Sequence, residues 1–271
     1  MKILIIGVSG FIGKNIYREL SANHSVYGVS RSSLKEKNCF KLDLLNIEAA
    51  KSFFFNRNFD IIIYLSSIMA SRENITNKKL LLDNLDMHFN LIECLKSQKQ
   101  AYLINFSSSA VYPNIDGIFS ESSLVNPSKN PDCLYGLSKI NSEILFAFYL
   151  RDINLLNLRL GYVYGLEMNP SRIHKVFEKE LHENNTISVW GNGIRTIPQL
   201  SISFLIRFLK KVLNNPIYGT FNLSEENISL KQIAEKIIKE KGNSKSKILY
   251  VDRGNKNKFK MDSSKIFKIL K

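Results

Sequence analysis

The sequence predicts an α/β fold: a Rossmann-type doubly wound parallel sheet with a smaller C-terminal α+β lobe. Short apolar runs alternate with stretches of helical periodicity, and a glycine turn joins the first run to the first helical stretch. Strands that alternate with helices require right-handed crossovers, which place the strands parallel in one sheet. From about Leu166 the alternation becomes less regular. We therefore predict a sheet domain over residues 1–165, to which some later segments return, and a lobe formed mainly by residues 166–271.

The glycine turn follows the first predicted strand, Ile3–Ile6, and precedes a stretch from Lys14 to Leu20 whose apolar residues recur at helical spacing. Glycines at such a turn let the backbone approach a pyrophosphate, which then lies at the positive N-terminus of the helix. An ordinary strand-to-helix turn is the alternative, but a position at the mouth of the first strand favours a dinucleotide site. The residues expected to bind the dinucleotide here are Gly7, Ser9, Gly10, Phe11, Ile12 and Gly13.

The second predicted strand, Val26–Val29, is followed by Ser30, Arg31 and Ser32. At this position an NAD enzyme usually carries an acidic residue that binds the ribose 2′-hydroxyl, and no carboxylate stands here. A guanidinium offers planar, bidentate donors to phosphate oxygens. Arg31 and its two hydroxyl neighbours therefore predict NADP(H) as the cofactor, whereas a solvated loop arginine is the alternative.

Two further apolar runs, Asp60–Leu65 and Ala101–Phe106, are predicted strands of the same sheet, and serines follow both. Ligands of parallel sheets bind at the carboxyl ends of the strands. We therefore expect these segments to meet the glycine turn and Arg31 in one crevice. The additional cofactor contacts expected from these strand ends are Leu65, Ser66, Ser67 and Ser107.

Tyr135 and Lys139 lie four positions apart, a spacing that places both side chains on one face of a helix. An ammonium beside a phenol lowers the pKa of the phenol because it favours the phenolate. Tyr135 could then act as a general acid or base near neutral pH. Because tyrosine and lysine also meet at this spacing by chance on many helices, a surface pair is the alternative.

Several stretches of the chain match the motifs of one protein family. They are Gly7–Gly13, Asp43–Leu44, Phe106–Tyr112, Tyr135–Lys139, Leu158–Gly165, Val189–Gly193 and Phe221–Leu223. Together they resemble the extended short-chain dehydrogenase/reductases, in particular the branch of nucleotide-sugar epimerases, dehydratases and reductases, over nearly the whole chain. The resemblance implies an enzyme that acts on a nucleotide-diphosphate sugar with a nicotinamide cofactor.

The resemblance also implies roles for single residues. Tyr135 would exchange a proton with the substrate, Lys139 would hold the nicotinamide ribose and tune Tyr135, and Ser108 would hydrogen-bond the reacting oxygen. These roles suit the chemistry, since a carbonyl that accepts hydride develops negative charge on its oxygen. The other cofactor contacts implied are Asp43 and Leu44 at the adenine and Val163 at the nicotinamide.

Departures from the family pattern narrow the reaction. Dehydratases of the family carry an acid and a base immediately after the catalytic hydroxyl, and here those positions hold Ser109 and Ala110. Reductases that also epimerise carry a cysteine where this chain has Ala110. Simple ketone reduction and 4-epimerisation remain, and Arg31 favours the first because the 4-epimerases usually retain NAD through an acidic residue.

We therefore predict an NADPH-dependent reductase of a nucleotide-linked 4-keto-6-deoxyhexose. An NAD(P)-dependent nucleotide-sugar 4-epimerase is the closest alternative. A second alternative is a non-catalytic regulatory protein that binds the dinucleotide. Such proteins tend to lose the catalytic residues, and this chain retains Ser108, Tyr135 and Lys139.

The C-terminal lobe carries the predicted substrate contacts. Arg195 follows the turn Gly191–Gly193, and Arg253 follows a short apolar run. In the resembled family such arginines clamp the diphosphate of the nucleotide sugar, whereas solvated surface arginines are the alternative. Ser109 is expected at the sugar. The family asparagine before Val-Tyr-Gly is Tyr162 here, so the sugar pocket departs from the usual one.

Composition excludes several other classes of protein. The 271 residues, 44% of them apolar, suffice for one large α/β unit with a lobe. No run approaches the roughly 18 apolar residues of a membrane span, and Met1 leads directly into the first strand, so we expect neither a membrane segment nor a signal peptide. Three cysteines form no disulfide framework or metal spacing. A cytoplasmic protein without a metal is expected.

The formal charge of +14 raises the question of nucleic-acid binding. The lysines are dispersed and base-stacking motifs are absent, so we expect the charge to steer an anionic nucleotide sugar and NADPH instead. A helix over Ile144–Leu150 is apolar nearly all round, which predicts burial on more than one side. In the resembled family this helix pairs with its counterpart, and a homodimer is expected.

Overall fold

A computed structural model describes residues 1–71, 73–98 and 101–269 of the chain. The chain divides into two compact units. The first unit comprises Met1–Pro113, Leu124–Leu160 and Ile206–Phe221, and the second comprises Asn114–Ser123, Gly161–Leu205 and Asn222–Lys271. In the described ranges, no helix has the length and apolar character needed to cross a membrane.

The strands, in chain order, are β1 (Lys2–Ile6), β2 (Ser25–Ser30), β3 (Cys39–Lys41), β4 (Ile61–Tyr64), β5 (Tyr102–Ser108), β6 (Gly117–Phe119), β7 (Asn154–Leu160), β8 (Tyr162–Tyr164), β9 (Thr186–Trp190), β10 (Thr196–Ser201), β11 (Gly219–Leu223), β12 (Glu226–Ser229), β13 (Lys247–Val251) and β14 (Phe259–Met261). The helices are α1 (Phe11–Leu20), α2 (Ile47–Phe54), α3 (Lys79–Leu95), α4 (Cys133–Tyr149), α5 (Ile173–Asn184), α6 (Ile202–Asn214), α7 (Leu230–Lys241) and α8 (Ser264–Ile269). Short 3-10 helices follow β5 and β9.

A seven-stranded sheet with the order β11-β7-β5-β4-β1-β2-β3 forms the centre of the first unit. The pairs from β7 through β5, β4, β1 and β2 to β3 are all parallel. The apolar runs that predicted these strands are buried, because helices cover a parallel sheet on both faces. The predicted α/β fold class is thus confirmed.

The strand order brings the carboxyl ends of four strands to one edge of the sheet. Ile6 at the end of β1 is in register with Val29 of β2 and with Tyr64 of β4. Tyr64 is in turn in register with Asn105 of β5. β5 continues two residues beyond the predicted end and finishes at Ser108. The glycine turn and the serine-rich segments therefore leave the sheet on the same side.

Helices α3 and α4 share the core on one face of this sheet. Leu91 of α3 and Phe146 of α4 are fully buried there with Leu4 and Ile62 of the strands. The sequence predicted that α4 is buried on more than one side. Within a single chain its outer side is not buried, because Ile144 and Phe148 are more than half exposed.

The second unit has a separate apolar core between β9 and helices α5 and α7. Phe177, Leu181, Ile187, Val189 and Ile237 are buried in it. Three small sheets complete this unit, with the orders β12-β10-β8, β13-β9 and β14-β6. These short strands agree with the irregular pattern of the C-terminal sequence.

Candidate active site

The glycine turn between β1 and α1 requires two of its glycines. Gly7 has a φ of +98°, and a Cβ atom there would lie 2.9 Å from the Ser66 backbone nitrogen. A Cβ atom at Gly13 would lie 2.4 Å from the Gly7 carbonyl oxygen. Gly10 occupies the N-cap position of α1 and has no side chain to bond the first-turn amides. The turn therefore presents helix amides to an anion, and the dinucleotide pyrophosphate predicted here fits this geometry.

The end of β2 positions Arg31 at the surface. The Ser30 hydroxyl donates a 2.7 Å hydrogen bond to the Ser32 carbonyl oxygen and so closes a turn around Arg31. Arg31 is exposed, whereas Ser30 is buried. The guanidinium is accessible to a phosphate, as the cofactor prediction requires.

The segment after β3 holds the predicted adenine contacts. Asp43 is exposed, and one of its carboxylate oxygens accepts a 3.1 Å hydrogen bond from the Leu45 amide. Leu44 is buried in the core, and its carbonyl oxygen accepts a 2.7 Å bond from the Asn90 side chain. Asp43 therefore has an accessible side chain, whereas the Leu44 side chain belongs to the core.

The loop after β4 is held in place by Asn84, a fully buried residue of α3. The Asn84 side-chain oxygen accepts a 2.8 Å bond from the Ile68 amide, and its nitrogen donates to the Ile68 carbonyl oxygen at 3.1 Å. The Ser67 hydroxyl donates to the same side-chain oxygen at 3.2 Å. Leu65 and Ser66, like Ser67, are half-buried beside the glycine turn. Asn84 thus fixes the loop that the sequence predicted at the cofactor.

Tyr135 and Lys139 lie one turn apart on α4, and both are buried. The Lys139 ammonium lies 5.7 Å from the centroid of the Tyr135 ring and donates a 2.9 Å hydrogen bond to the Phe106 carbonyl oxygen of β5. Burial lowers the pKa of Lys139 to about 8, and the Glu143 carboxylate opposes this shift. The pair is buried and faces the sheet, so it is not a solvated surface pair.

The turn after β5 packs directly against the first turns of α4. Ser108 ends the strand, and its hydroxyl oxygen accepts a 3.1 Å bond from the Ala110 amide. A Cβ atom at Gly136 would lie 2.3 Å from the Ala110 carbonyl oxygen. Asn130 donates to the carbonyl oxygens of Ala110 at 2.7 Å and Tyr112 at 2.9 Å. The segment that carries Ser108 and Ser109 is therefore clamped to the helix of Tyr135.

A buried ionic network supports this arrangement one turn further along the same face of α4. Arg159 of β7 pairs with Glu143 at 2.7 Å and donates to the Tyr112 hydroxyl at 2.8 Å. Although burial opposes it, the hydrogen bonds and charge of Glu143 raise the pKa of Arg159 above its ordinary value. The Ser107 hydroxyl donates to Glu143. The donor of the Ser107 hydroxyl is therefore engaged in this network and is not available to the predicted cofactor.

The second unit contains Val163 and the two predicted arginines. Val163 is half-buried in β8 and pairs with Leu200 of β10. The Gly191 amide donates a 2.7 Å bond to the Arg253 carbonyl oxygen, and the Arg253 guanidinium lies 4.3 Å from the centroid of the Trp190 ring. Arg195 follows the same glycine turn and is half-buried. Both arginines thus flank the Gly191–Gly193 turn.

Tyr162, the residue in place of the family asparagine, forms part of an aromatic stack. The centroid of its ring lies 5.5 Å from that of the His174 ring, and the His174 centroid lies 4.6 Å from that of Tyr164. The ring planes are nearly parallel in both pairs. Burial lowers the pKa of His174 to about 4, so this imidazole is neutral at neutral pH.

Sequence reasoning missed several residues that shape the site. Gly136 stands inside the Tyr-x-x-x-Lys motif, and a glycine in a helix interior signals close backbone contact. Glu143 lies one further turn along the same helical face from Lys139. The remaining residues of this kind, Asn84, Asn130 and Arg159, carry no local signal because their partners are remote in sequence.

Comparisons with known proteins agree with this fold. The family model described as the NAD dependent epimerase/dehydratase family matches residues 3–224. GDP-L-colitose synthase of Yersinia pseudotuberculosis is 26% identical over 231 residues, which are 79% of this chain and 73% of that protein. A Bacillus subtilis (strain 168) protein described as an uncharacterized UDP-glucose epimerase, YtcB, is 27% identical over 242 residues, 80% of this chain and 73% of its own.

Among solved structures, UDP-glucuronic acid 4-epimerase from Bacillus cereus, in complex with UDP-glucuronic acid and NAD, superposes with a TM-score of 0.84 at 24% identity. The superposition covers 100% of this chain and 93% of that one. Since the family model spans most of the sequence, the chain belongs to the NAD dependent epimerase/dehydratase family.

Proposed function

We propose that the protein is an NADPH-dependent reductase that converts a nucleotide-linked 4-keto-6-deoxyhexose to the 4-hydroxy sugar. The observation that carries this proposal is the packing of the Tyr135–Lys139 turn of α4, through Gly136, against the turn that follows Ser108. This packing gathers an ammonium, a phenol and a hydroxyl on adjoining backbone. A ketone needs such donors as negative charge grows on its oxygen.

The residues next to Ser108 support reduction over other reactions of the family. Ser109 and Ala110 provide neither the acid nor the base that a dehydration needs, and Ala110 cannot provide the acid of a coupled epimerisation. A proton donor and a hydrogen-bond donor suffice for a simple ketone reduction. The nucleotide sugar is proposed as substrate class because relatives of the chain carry such names.

Tyr135, Lys139 and Ser108, the proposed catalytic triad, have separate tasks in this proposal. NADPH supplies the hydride when it is bound. The Tyr135 hydroxyl gives its proton to the ketone oxygen, and the Lys139 ammonium holds the nicotinamide ribose and stabilises the phenolate that Tyr135 becomes. The Ser108 hydroxyl oxygen accepts a hydrogen bond from the Ala110 amide, so the hydroxyl hydrogen of Ser108 can be donated to the ketone oxygen.

The cofactor choice rests on the end of β2. Gly7 and Gly13 keep the turn tight, because a Cβ atom at either position would meet protein backbone. The helix amides of such a turn would bind the pyrophosphate of NAD and NADP alike. Arg31 suits the 2′-phosphate that only NADP carries. Val163 is proposed at the nicotinamide and Asp43 at the adenine.

Replacing Arg31 tests the cofactor choice. Arg31→Ala should weaken NADPH binding about 10- to 100-fold and leave NADH binding nearly unchanged, since one charge-assisted contact contributes about 1.5–3 kcal/mol. Titration calorimetry with both cofactors measures this change. Lys51→Ala removes another exposed cation of the first unit and serves as the control. Equal affinity of the wild type for NADH and NADPH would contradict the assignment of Arg31.

The substrate diphosphate is proposed to bind Arg195 and Arg253. The Arg253 guanidinium lies over the Trp190 ring, a cation–π contact that favours this position of the side chain. A planar guanidinium can then bind phosphate oxygens with two donors. Ser109, beside the catalytic hydroxyl, is proposed to contact the sugar.

A nucleotide-sugar 4-epimerase is the second candidate. The relative from Bacillus subtilis is described as a UDP-glucose epimerase, and this observation favours it. The same triad would serve, but the cofactor would have to stay bound through a full cycle of oxidation and re-reduction. A non-catalytic dinucleotide-binding protein is the third candidate.

Incubation with a panel of substrates separates the three candidates. The purified protein should consume NADPH with at least one of the dTDP-, CDP-, GDP- and UDP-4-keto-6-deoxyhexoses, and Tyr135→Phe should lower that rate about 10²- to 10⁴-fold. Interconversion of UDP-glucose and UDP-galactose without NADPH consumption would establish the epimerase instead. If no substrate reacts and Tyr135→Phe changes nothing measurable, the non-catalytic candidate replaces both.

A further inference from the structure

His88 of α3 is fully buried beside the catalytic helix, although no role has been assigned to it. Its Nδ1 atom lies 2.9 Å from the Tyr64 hydroxyl at the end of β4. Its Nε2 atom lies 3.2 Å from the Ser138 carbonyl oxygen on α4. The imidazole therefore bridges the sheet and the helix of Tyr135 and Lys139.

The partners determine which nitrogen carries the proton. A carbonyl oxygen only accepts, so Nε2 must be protonated and donate to Ser138. Nδ1 then accepts from the Tyr64 hydroxyl. One neutral tautomer satisfies both contacts, and a charged imidazole would have two donors facing Tyr64 and Ser138. Burial, together with the positive charge of Lys139, lowers the pKa of His88 to about 3, which keeps the ring neutral.

Ser138 lies in the helical turn that joins Tyr135 to Lys139, directly before Lys139. Its hydroxyl donates a 2.8 Å bond to the Tyr135 carbonyl oxygen, and the next residue, Lys139, is bonded to Phe106. The turn is held at Gly136 by the Ala110 backbone and at Ser138 by His88. These two contacts lie two residues apart, roughly 200° around the helix axis, so together they restrict rotation of α4 about that axis.

We propose that His88 is a positioning residue that, through its bond to the Ser138 carbonyl oxygen, sets the direction in which α4 presents Tyr135 and Lys139. The proposal rests on the catalytic role proposed above for these two residues. Packing alone is the competing explanation, because the His88 ring also lies edge-on to Tyr64 and Phe146 at centroid distances of 5.7 Å.

Two amide substitutions separate the bond to Ser138 from the packing. Glutamine places its side-chain nitrogen near the position of Nε2, so His88→Gln retains the donor to Ser138. Asparagine is shorter and places its polar atoms near Nδ1, so His88→Asn retains only the contact with Tyr64. Leu91→Ala, a change in the same buried core of α3, controls for lost stability without altering a polar contact.

The closing experiment measures Tyr135 directly. Tyrosine ¹³Cζ NMR of the cofactor-free protein should show that His88→Asn shifts the pH at which Tyr135 ionises, whereas His88→Gln and Leu91→Ala leave it near the wild-type value. With a reacting sugar, His88→Asn should lower kcat about 10- to 100-fold, the scale of a small misplacement, with a smaller change in KM. His88→Gln should recover most of this loss.

Two results would overturn the proposal. One is an unchanged Tyr135 ionisation in His88→Asn, and the other is an equal shift in His88→Asn and Leu91→Ala. A ¹⁵N spectrum in which His88 titrates near pH 6.5, or carries its proton on Nδ1, would overturn the bridging geometry. The NMR measurement needs no substrate. It therefore decides the role of His88 even if the sugar panel refutes the reductase.

Discussion

At the scale of single residues, Lys139 shows how burial adapts a common side chain to a site. The ammonium is enclosed by β5 and α4 and bonds a backbone carbonyl oxygen. Its pKa falls from 10.5 to about 8 because desolvation penalises the charge. The charge therefore persists at neutral pH and is lost over the range in which a free lysine remains protonated.

This shift predicts the alkaline limit of the enzyme. The rate kcat/KM should fall as the pH rises above about 8, because neutral Lys139 no longer holds the ribose or stabilises the Tyr135 phenolate. A pH–rate profile measures the fall. An arginine keeps its charge throughout this range, so the pH–rate profile of Lys139→Arg should lack the fall at alkaline pH even if the variant is less active. A wild-type profile that is flat up to pH 10 would contradict this role of Lys139.

The same shift has a consequence for stability. The unfolded chain binds the proton of Lys139 more tightly than the folded chain does. The contribution of this group to the free energy of unfolding therefore rises with pH between about 8 and 10.5. The direction is the same as for a carboxylate stabilised by an ion pair, whose folded-state pKa is also lowered, and opposite to that of a lysine whose pKa an ion pair raises.

At the scale of the elements, the alternation of strands and helices could be predicted from the sequence. Apolar runs such as Ile3–Ile6 determine strands buried on both faces, and the glycine turn signals the first crossover. The contacts that join the elements were not predictable. Asn84 bonds the loop after β4, sixteen residues earlier, and Asn130 bonds the turn after β5. A sequence gives no measure of such pairings because they depend on how whole elements pack.

Gly136 is the element-scale contact that can be tested most directly. Gly136→Ala should lower the free energy of unfolding by about 1–3 kcal/mol, because a Cβ atom 2.3 Å from the Ala110 carbonyl oxygen forces the two turns apart. Activity should fall with it, since Ser108 moves relative to Tyr135. Urea unfolding and the NADPH assay measure the two effects.

Asn141→Ala, at a half-buried position of the same helix, is the control for Gly136. Alanine has the higher helix propensity in both cases, so propensity alone would stabilise both variants by up to about 1 kcal/mol. A stabilised Gly136→Ala protein would show that the two turns do not need this close contact.

At the scale of the whole molecule, the exposed apolar face of α3 and α4 supports the proposal of a homodimer. Leu82 and Phe89 of α3 and Ile144 and Phe148 of α4 are between 42% and 58% exposed. Phe89 and Tyr149 join the two helices through an edge-on contact at 6.1 Å. Exposed aromatic and aliphatic groups on adjacent helices are typical of a protein interface.

Phe148→Glu tests the dimer. We expect a dimer for the wild type and a monomer for this variant, because a carboxylate buried in an apolar interface without a partner is strongly unfavourable. Light scattering after gel filtration gives both masses. Leu124→Glu, a change at an exposed leucine outside these helices, should remain dimeric. A monomeric wild type would remove the proposal.

The sequence by itself determined the fold class, the glycine turn, the placement of Arg31 and serines at strand ends, and the helical spacing of Tyr135 and Lys139. Each of these is a local property, since strand and helix periodicity and the chemistry of a strand end involve neighbouring residues. Only the tertiary structure decided that Gly136 contacts Ala110, that His88 bridges Tyr64 and Ser138, and that burial lowers the pKa of Lys139. The reason is physical: desolvation and close packing arise where elements remote in sequence come together.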